Sequence, residues 1–234
     1  YQIASFGKAK ENSVGMYIGI PFCPTRCLYC SFISSQAENE KLEAYVDTLI
    51  EEIKEIGLRL DNSKFHIESL YIGGGTPTTL NENQLNRLLD AINKYLDIHS
   101  IKEYTIEAGR PDTINLEKLK IIKAHECERI SINPQSMKPE TLVTIGRSHT
   151  PLEIEKAFEL AHSLDFNSIN ADLIAGLPGE ELSDFDASLE KIIGLGADNI
   201  TIHSLAVKRA SRLKDEDPVF HYKQSSITNS MTAK

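Results

Sequence analysis

The chain has 234 residues, 41% of them apolar and 25% charged, the proportions of a soluble globular domain with one sizeable core. Its 34 Asp and Glu outweigh 25 Lys and Arg, and a formal charge of -9 argues against a broad nucleic-acid-binding surface. No membrane span and no signal peptide are expected from its apolar runs, and four cysteines with three of them between positions 23 and 30 suit a reducing cytoplasm, not a secreted disulfide framework.

Residues 1–13 read as a polar lead-in, and residues 14–20 as a buried strand. The strand runs into Pro21-Phe22-Cys23-Pro24-Thr25-Arg26-Cys27-Leu28-Tyr29-Cys30, a loop with cysteines in the spacing C-x3-C-x2-C. Three thiolates this close cannot all pair as disulfides, but they can share a metal site. They suit a [4Fe-4S] cluster with one iron left free, a zinc loop lacking its fourth ligand, or three unrelated buried cysteines. Cys127 stands apart and reads as a small buried apolar residue.

Leu42, Tyr45, Val46, Leu49, Ile53, Ile56 and Leu60 recur at helical spacing and predict a helix over residues 41–60. Residues 67–72 predict a second strand, which enters Gly73-Gly74-Gly75-Thr76-Pro77. Asn81 with Gln84 forms a capping-box variant ahead of a helix whose core face is Leu85, Leu88, Leu89, Ile92 and Leu96. Residues 104–108 predict a short third strand, and Asn115 caps a helix to about Ala124. Residues 129–133 predict a fourth strand and residues 139–145 a short helix. Thr150, Pro151 and Glu153 combine a cap, a first-position proline and a box partner for a helix to about Leu164. A fifth strand is expected over 168–175, a helix from Ser183 to Gly194 or Gly196, and a sixth strand over 199–205.

Six strands alternating with helices imply right-handed crossovers and a parallel sheet, either doubly wound or a (β/α) barrel. The polar residues fall at strand ends, where barrels carry their chemistry. The glycine turn would let backbone approach a ligand, or be no more than a tight turn. Glu107 can accept two hydrogen bonds from hydroxyls, or make a rim salt bridge, for instance with Arg110. Gln135, Arg147 and Asp172 should converge at one barrel mouth, where Arg147 can grip a carboxylate as a fork. His203 can act as a base or metal ligand, or form a packed wall with a satisfied hydrogen bond.

The cysteine loop with Tyr29 and the glycine turn resemble those of radical S-adenosylmethionine (SAM) enzymes. Together with Tyr17, Ile20-Pro21-Phe22-Cys23, Glu107, the Gln135-to-Arg147 spacing and Asn170-Ala171-Asp172-Leu173-Ile174-Ala175-Gly176-Leu177-Pro178-Gly179, they resemble the oxygen-independent coproporphyrinogen III oxidase (dehydrogenase) family, and most of all its HemZ-like branch. The resemblance covers residues 14 to about 212. It implies a six-stranded partial TIM-like barrel over residues 14–212, a loop or tail over 213–234, and no C-terminal family domain. It implies a [4Fe-4S] cluster on Cys23, Cys27 and Cys30, and SAM held by named residues. Tyr17 would lie beside the cluster and sulfonium. Gly74, Gly75 and Thr76 would hold the methionyl part, Glu107 and Gln135 the ribose, Arg147 and Asp172 the remaining polar groups, and His203 and Leu205 the adenine. The implied partners are a porphyrinogen or haem and an electron donor such as flavodoxin or ferredoxin, in the cytoplasm. The implied activity is oxidative decarboxylation of propionates to vinyls in haem biosynthesis. Two departures favour the family's haem-chaperone relatives instead. Phe32 stands where dehydrogenases carry a further cysteine, and Gly19 where they carry a histidine. Past the sixth strand, Lys208, Arg209 and Arg212 form a compact basic group suited to propionates, or a solvated loop.

Overall fold

The computed structural model describes residues 11–32, 35–36, 38–206, 208 and 211–213. Strands and helices alternate as β1 (Ser13–Ile20), α1 (Asn39–Asp61), β2 (His66–Gly74), α2 (Glu82–Tyr95), β3 (Glu103–Glu107), α3 (Leu116–Ala124), β4 (Arg129–Gln135), α4 (Pro139–Thr144), α5 (Pro151–His162), β5 (Ser168–Ala175), α6 (Leu182–Gly194) and β6 (Asn199–Ser204). Most of the 213–234 tail, together with Arg209, lies outside the described residues, as do residues 1–10 of the lead-in.

All five strand pairings are parallel, and the strands lie in sequence order from β1 to β6. That order decides between the two architectures left open by the alternation. A doubly wound sheet reverses its order at a switch point. Here each crossover steps one strand in the same direction, so right-handed connections place every helix on one face. The sheet is an open, partial (β/α)6 barrel with β1 and β6 at its two edges.

Alternation along the strands divides their faces. Ile18, Ile20, Leu70, Ile72, Ile106, Ile130, Ile132, Ile169, Ala171 and Leu173 are buried against the helices, where they meet Val46, Ile53, Leu88, Ile92, Ile122, Phe158 and Phe185. The opposite face carries Tyr17, Tyr71, Glu107, Ser131, Asn133, Asp172 and Thr201, and it lines a cleft.

The helix starts follow their caps. Gln84 N donates to Asn81 Oδ1 at 2.9 Å and Asn81 N to Gln84 Oε1 at 3.0 Å. Thr150 and Glu153 form the equivalent box on α5, and Lys118 N donates to Asn115 Oδ1 at 2.9 Å on α3. The last helix begins at Leu182, one residue ahead of the expected Ser183, because Asp184 Oδ2 accepts from Glu181 N at 3.0 Å and makes Glu181 the cap. The fourth strand runs two residues beyond its expected end, to Gln135, across a register slip between Ile132 and Gln135.

Candidate functional site

The cleft at the C-terminal end of the sheet has a volume of about 590 Å³, and every candidate residue from Tyr17 on β1 to Leu205 just past β6 lines it. Its floor begins with the cysteine loop. Ser35 N donates to Pro21 O at 3.0 Å and Cys23 N to Ser35 O at 3.2 Å, which stitches the loop's far limb to its entry. Cys30 N donates to Cys27 O at 3.2 Å, and Leu28 N reaches Ile145 O at 2.9 Å, anchoring the loop beside α4. Cys23, Cys27 and Cys30 are free thiols on the cleft wall. Cys127 is fully buried in the core, with Sγ against Tyr104 O at 3.4 Å. Burial pushes the Cys30 thiol up, and the neighbouring Cys27 and Cys23 add to that rise. Three thiols on one loop and one cleft wall form a donor set suited to an iron–sulfur cluster. Among the described residues no three His, Cys, Asp or Glu side chains are gathered closely enough to hold a single metal ion.

The glycine turn packs directly on this loop. Gly75 N donates to Ile20 O and Thr76 N to Phe22 O, both at 2.8 Å, and Cys23 Sγ lies 3.5 Å from Thr76 Oγ1. A Cβ on Gly75 would fall 2.5 Å from Phe22 O and 2.9 Å from Cys23 Sγ, and Gly74 has φ +112°. The turn therefore needs glycine to touch the cysteine loop as well as to leave backbone open to a ligand.

Arg147 bridges the next three strand ends. Nη1 donates to Gly109 O and Asn133 O, and Nη2 to the Tyr29 hydroxyl, each at 3.1 Å. These bonds narrow the carboxylate fork expected of Arg147. Nε is buried and has no partner among the described residues. Burial pushes the Tyr29 phenol up against the opposing pull of Arg147. Gln135 closes β4 in the left-handed region, φ +69°, a strained choice for a residue with a Cβ. Its buried Oε1 also has no partner. A buried donor and a buried acceptor left unpaired on one cleft wall suit a polar ligand.

Glu107 makes no bridge to Arg110, which is paired with Asp112. Its Oε1 accepts from the Tyr71 hydroxyl at 2.6 Å. Burial raises the Glu107 carboxyl, Asp172 adds to the rise, and Tyr71 and the Gly74 backbone oppose it. Asp172 Oδ1 accepts from Asn170 Nδ2 at 2.8 Å, and its Oδ2 lies 3.6 Å from His203 Nε2. The packed-wall reading of His203 is corrected here. The side chain, on the edge strand β6, is 55% exposed and its near partner is that carboxylate.

No sequence motif marks Tyr71, Ser131, Asn133 or Thr201, although they line the same wall, and Asn170 enters only within the Asn170–Gly179 stretch. A period-two signal was there to be read. Positions 131, 133 and 135, 170 and 172, and 201 and 203 are polar on alternate residues of otherwise apolar strands, which marks the inward face. Arg110, Asp112 and His149 had no such signal, because they lie on loops outside the strands, and the contacts of Arg110 to Thr25 and of Asp112 to His149 join loops far apart in the chain.

The comparisons with known proteins agree with this geometry. Residues 17–192 match the family model described as the radical SAM superfamily. The chain belongs to the radical SAM superfamily. It is 40% identical over 206 residues to the oxygen-independent coproporphyrinogen-III oxidase-like protein HemZ of Bacillus subtilis, an alignment covering 87% of this chain and 41% of HemZ. It is 37% identical over 193 residues to the heme chaperone HemW of the same organism, covering 82% and 50%. Among solved structures it is similar to coproporphyrinogen III oxidase (HemN) from Escherichia coli, a radical SAM enzyme, with a TM-score of 0.75, 25% identity, and 92% and 53% of the two chains covered. The chain thus spans about half or less of the length of these relatives. Radical SAM proteins generally bind a [4Fe-4S] cluster and SAM. No helix among the described residues is long and apolar enough to cross a membrane.

Proposed function

We propose that this chain is the radical SAM core of a haem-related oxidoreductase, resembling coproporphyrinogen III dehydrogenase, that works in the cytoplasm and takes its electron from a small donor protein such as flavodoxin or ferredoxin. One observation carries the reading: three cysteines of one loop and the polar ends of six parallel strands line a single cleft. Cys23, Cys27 and Cys30 would hold the cluster. When bound, cluster and SAM supply one-electron hydrogen-abstraction chemistry.

The remaining work belongs to the chain's own residues. The carbonyls of the Gly74–Thr76 turn, whose Gly75 and Thr76 amides are already held by Ile20 O and Phe22 O, approach the methionyl part. Arg147 Nε is the donor left for its carboxylate, and Gln135 Oε1 the acceptor left for a hydroxyl. Glu107, held by Tyr71, takes the ribose hydroxyls as an ionised acceptor. Asp172 with His203, and Leu205 beside them, close the adenine end, and Tyr17 covers the reacting end.

A second reading has its own observation. Phe32 is 69% exposed on the cleft wall where dehydrogenases carry a cysteine, and the similarity to HemW is close to that to HemZ. On that reading the protein binds and delivers haem without decarboxylation. One anaerobic experiment separates the two: cluster-reconstituted protein is given SAM, reductant and coproporphyrinogen III, and products are resolved by chromatography. Vinyl product supports the dehydrogenase. Tight haem binding without vinyl product supports the chaperone. Failure to assemble a cluster or to bind SAM overturns both.

A further inference from the structure

Arg110 is 2% exposed and uses all five of its N–H donors. Nε and Nη2 form a fork on Asp112, at 3.1 Å to Oδ1 and 3.0 Å to Oδ2. Nη1 donates to Thr25 Oγ1 at 2.7 Å and to Thr25 O at 3.3 Å, and Nη2 also reaches Ser148 Oγ at 3.4 Å. Thr25 lies between Cys23 and Cys27, and its hydroxyl donates onward to Gly146 O at 3.1 Å. Asp112 sits on the short turn after β3, and its Oδ1 also lies 3.5 Å from Nδ1 of the buried His149. One guanidinium thus ties the cysteine loop to the exit of β3 and to the loop before α5.

A buried ion pair is weak evidence for stability, because its desolvation cost can match its attraction. What it does fix is geometry and field direction. Only a planar five-donor fork can hold Thr25, Ser148 and a carboxylate at once, so lysine cannot replace it. Nη1 of the guanidinium meets Thr25 of the cysteine loop, while Nε and Nη2 meet the Asp112 carboxylate.

We propose that Arg110 and Asp112 are positioning residues for the iron–sulfur cluster, setting the spacing of Cys23 and Cys27 through Thr25 and making the cluster easier to reduce through the charge of Arg110. The inference rests on the cluster assignment made above. A positive charge beside the loop favours the reduced cluster, which carries one more negative charge. The two partners should therefore act in opposite directions.

The test uses protein reconstituted anaerobically as wild type, Asp112→Asn, Arg110→Gln and Arg110→Lys. Three quantities are measured: iron retained against a chelator, the cluster's midpoint potential by EPR-monitored redox titration, and the melting temperature. Asp112→Asn removes the countercharge and should raise the potential. Arg110→Gln should lower it and lose iron roughly tenfold faster, the scale on which residues behind metal ligands act. Arg110→Lys keeps the charge without the fork, so it should recover the potential more fully than the iron retention. Potentials that stay at the wild-type value in both neutral variants, or that move in the same direction, overturn the proposal. If Arg110→Gln does not fold, Asp112→Asn alone decides, and an unmoved potential there overturns it. A wild-type protein that holds no cluster defeats the underlying site assignment as well, whereas wild-type cluster with unmoved variants defeats this inference alone.

Discussion

The Tyr71 hydroxyl donates to Glu107 Oε1 at 2.6 Å, and the same Tyr71 ring lies in register with Tyr17 on β1, stacked at 6.0 Å between centroids and 11° between planes. One side chain therefore steadies both a carboxylate and an aromatic face on the cleft wall. Tyr71→Phe keeps the stack and removes the donor. Hydrogen bonds to charged groups are worth about 1.5–3 kcal/mol. If Glu107 meets SAM, affinity in the reconstituted protein should fall by roughly tenfold or more at about 1.4 kcal/mol per decade, with the Tyr17 stack intact. Calorimetry checks it, and an unchanged affinity would detach Glu107 from the ligand.

The raised carboxyl of Glu107 gives a pH prediction with a defined sign. Burial raises its folded-state value above the ordinary carboxylate value of 4.5. The folded protein thus holds this proton more tightly than the unfolded chain. That contribution to stability is present at low pH and is lost as pH rises through the raised value. Glu107→Gln should therefore melt higher than wild type at neutral pH and approach it in acid. SAM binding should show the reverse dependence in wild type, strengthening as Glu107 ionises, and Glu107→Gln should flatten that profile. Melting curves and SAM titrations from pH 5 to 8 measure both.

The contact of Gly75 with the cysteine loop predicts a cluster defect from a residue that carries no thiol. In Gly75→Ala, the new Cβ meets Phe22 O at 2.5 Å and Cys23 Sγ at 2.9 Å, distances that force the loop away. Iron and sulfide should fall well below the roughly four of each that one [4Fe-4S] cluster brings. Cys23→Ala, Cys27→Ala and Cys30→Ala should each abolish the cluster, while Cys127→Ala should leave it in place. Full iron loading of Gly75→Ala would show that the turn and loop move independently, and cluster loss in Cys127→Ala would overturn the ligand assignment.

Much of this arrangement was legible in the sequence because it is local. The C-x3-C-x2-C loop, the glycine turn and the capping residues Asn81, Asn115 and Thr150 announce themselves within a few positions. The alternation of elements alone did not separate an open barrel from a doubly wound sheet, since both need it and differ only in strand order; the resemblance carried by the cysteine loop and the glycine turn pointed to the partial barrel, and the strand order bears it out. Arg147 shows a second limit. Its residue type suggests a free fork, but the structure gives Nη1 to carbonyls of Gly109 and Asn133, which are far apart in the chain. Glu107 shows a third. Its strand-end position was readable, whereas its partner Tyr71 sits 36 residues earlier and meets it only through strand pairing.

The mouth of the cleft bears on the proposed tetrapyrrole ligand. Tyr17 and Phe32 are 61% and 69% exposed there, and Lys208 lines the same opening. Exposed aromatic faces beside a cation are what a flat, carboxylate-bearing ring system would contact. Arg212, part of the expected basic group, already has an interaction partner, so Lys208 is the clearer probe. Haem titrated into the reconstituted protein should bind with a shift of its Soret band. Phe32→Ala should weaken that binding by removing stacking area, and Lys208→Glu by replacing attraction with repulsion, each roughly fivefold or more, about 1 kcal/mol. SAM affinity should stay unchanged in Phe32→Ala, since Phe32 has no assigned SAM contact. Equal haem affinity in wild type and both variants would place the tetrapyrrole elsewhere. Parallel loss of SAM and haem binding in Phe32→Ala would instead show that this ring supports the cysteine loop, two residues away from Cys30, and does not contact the ligand.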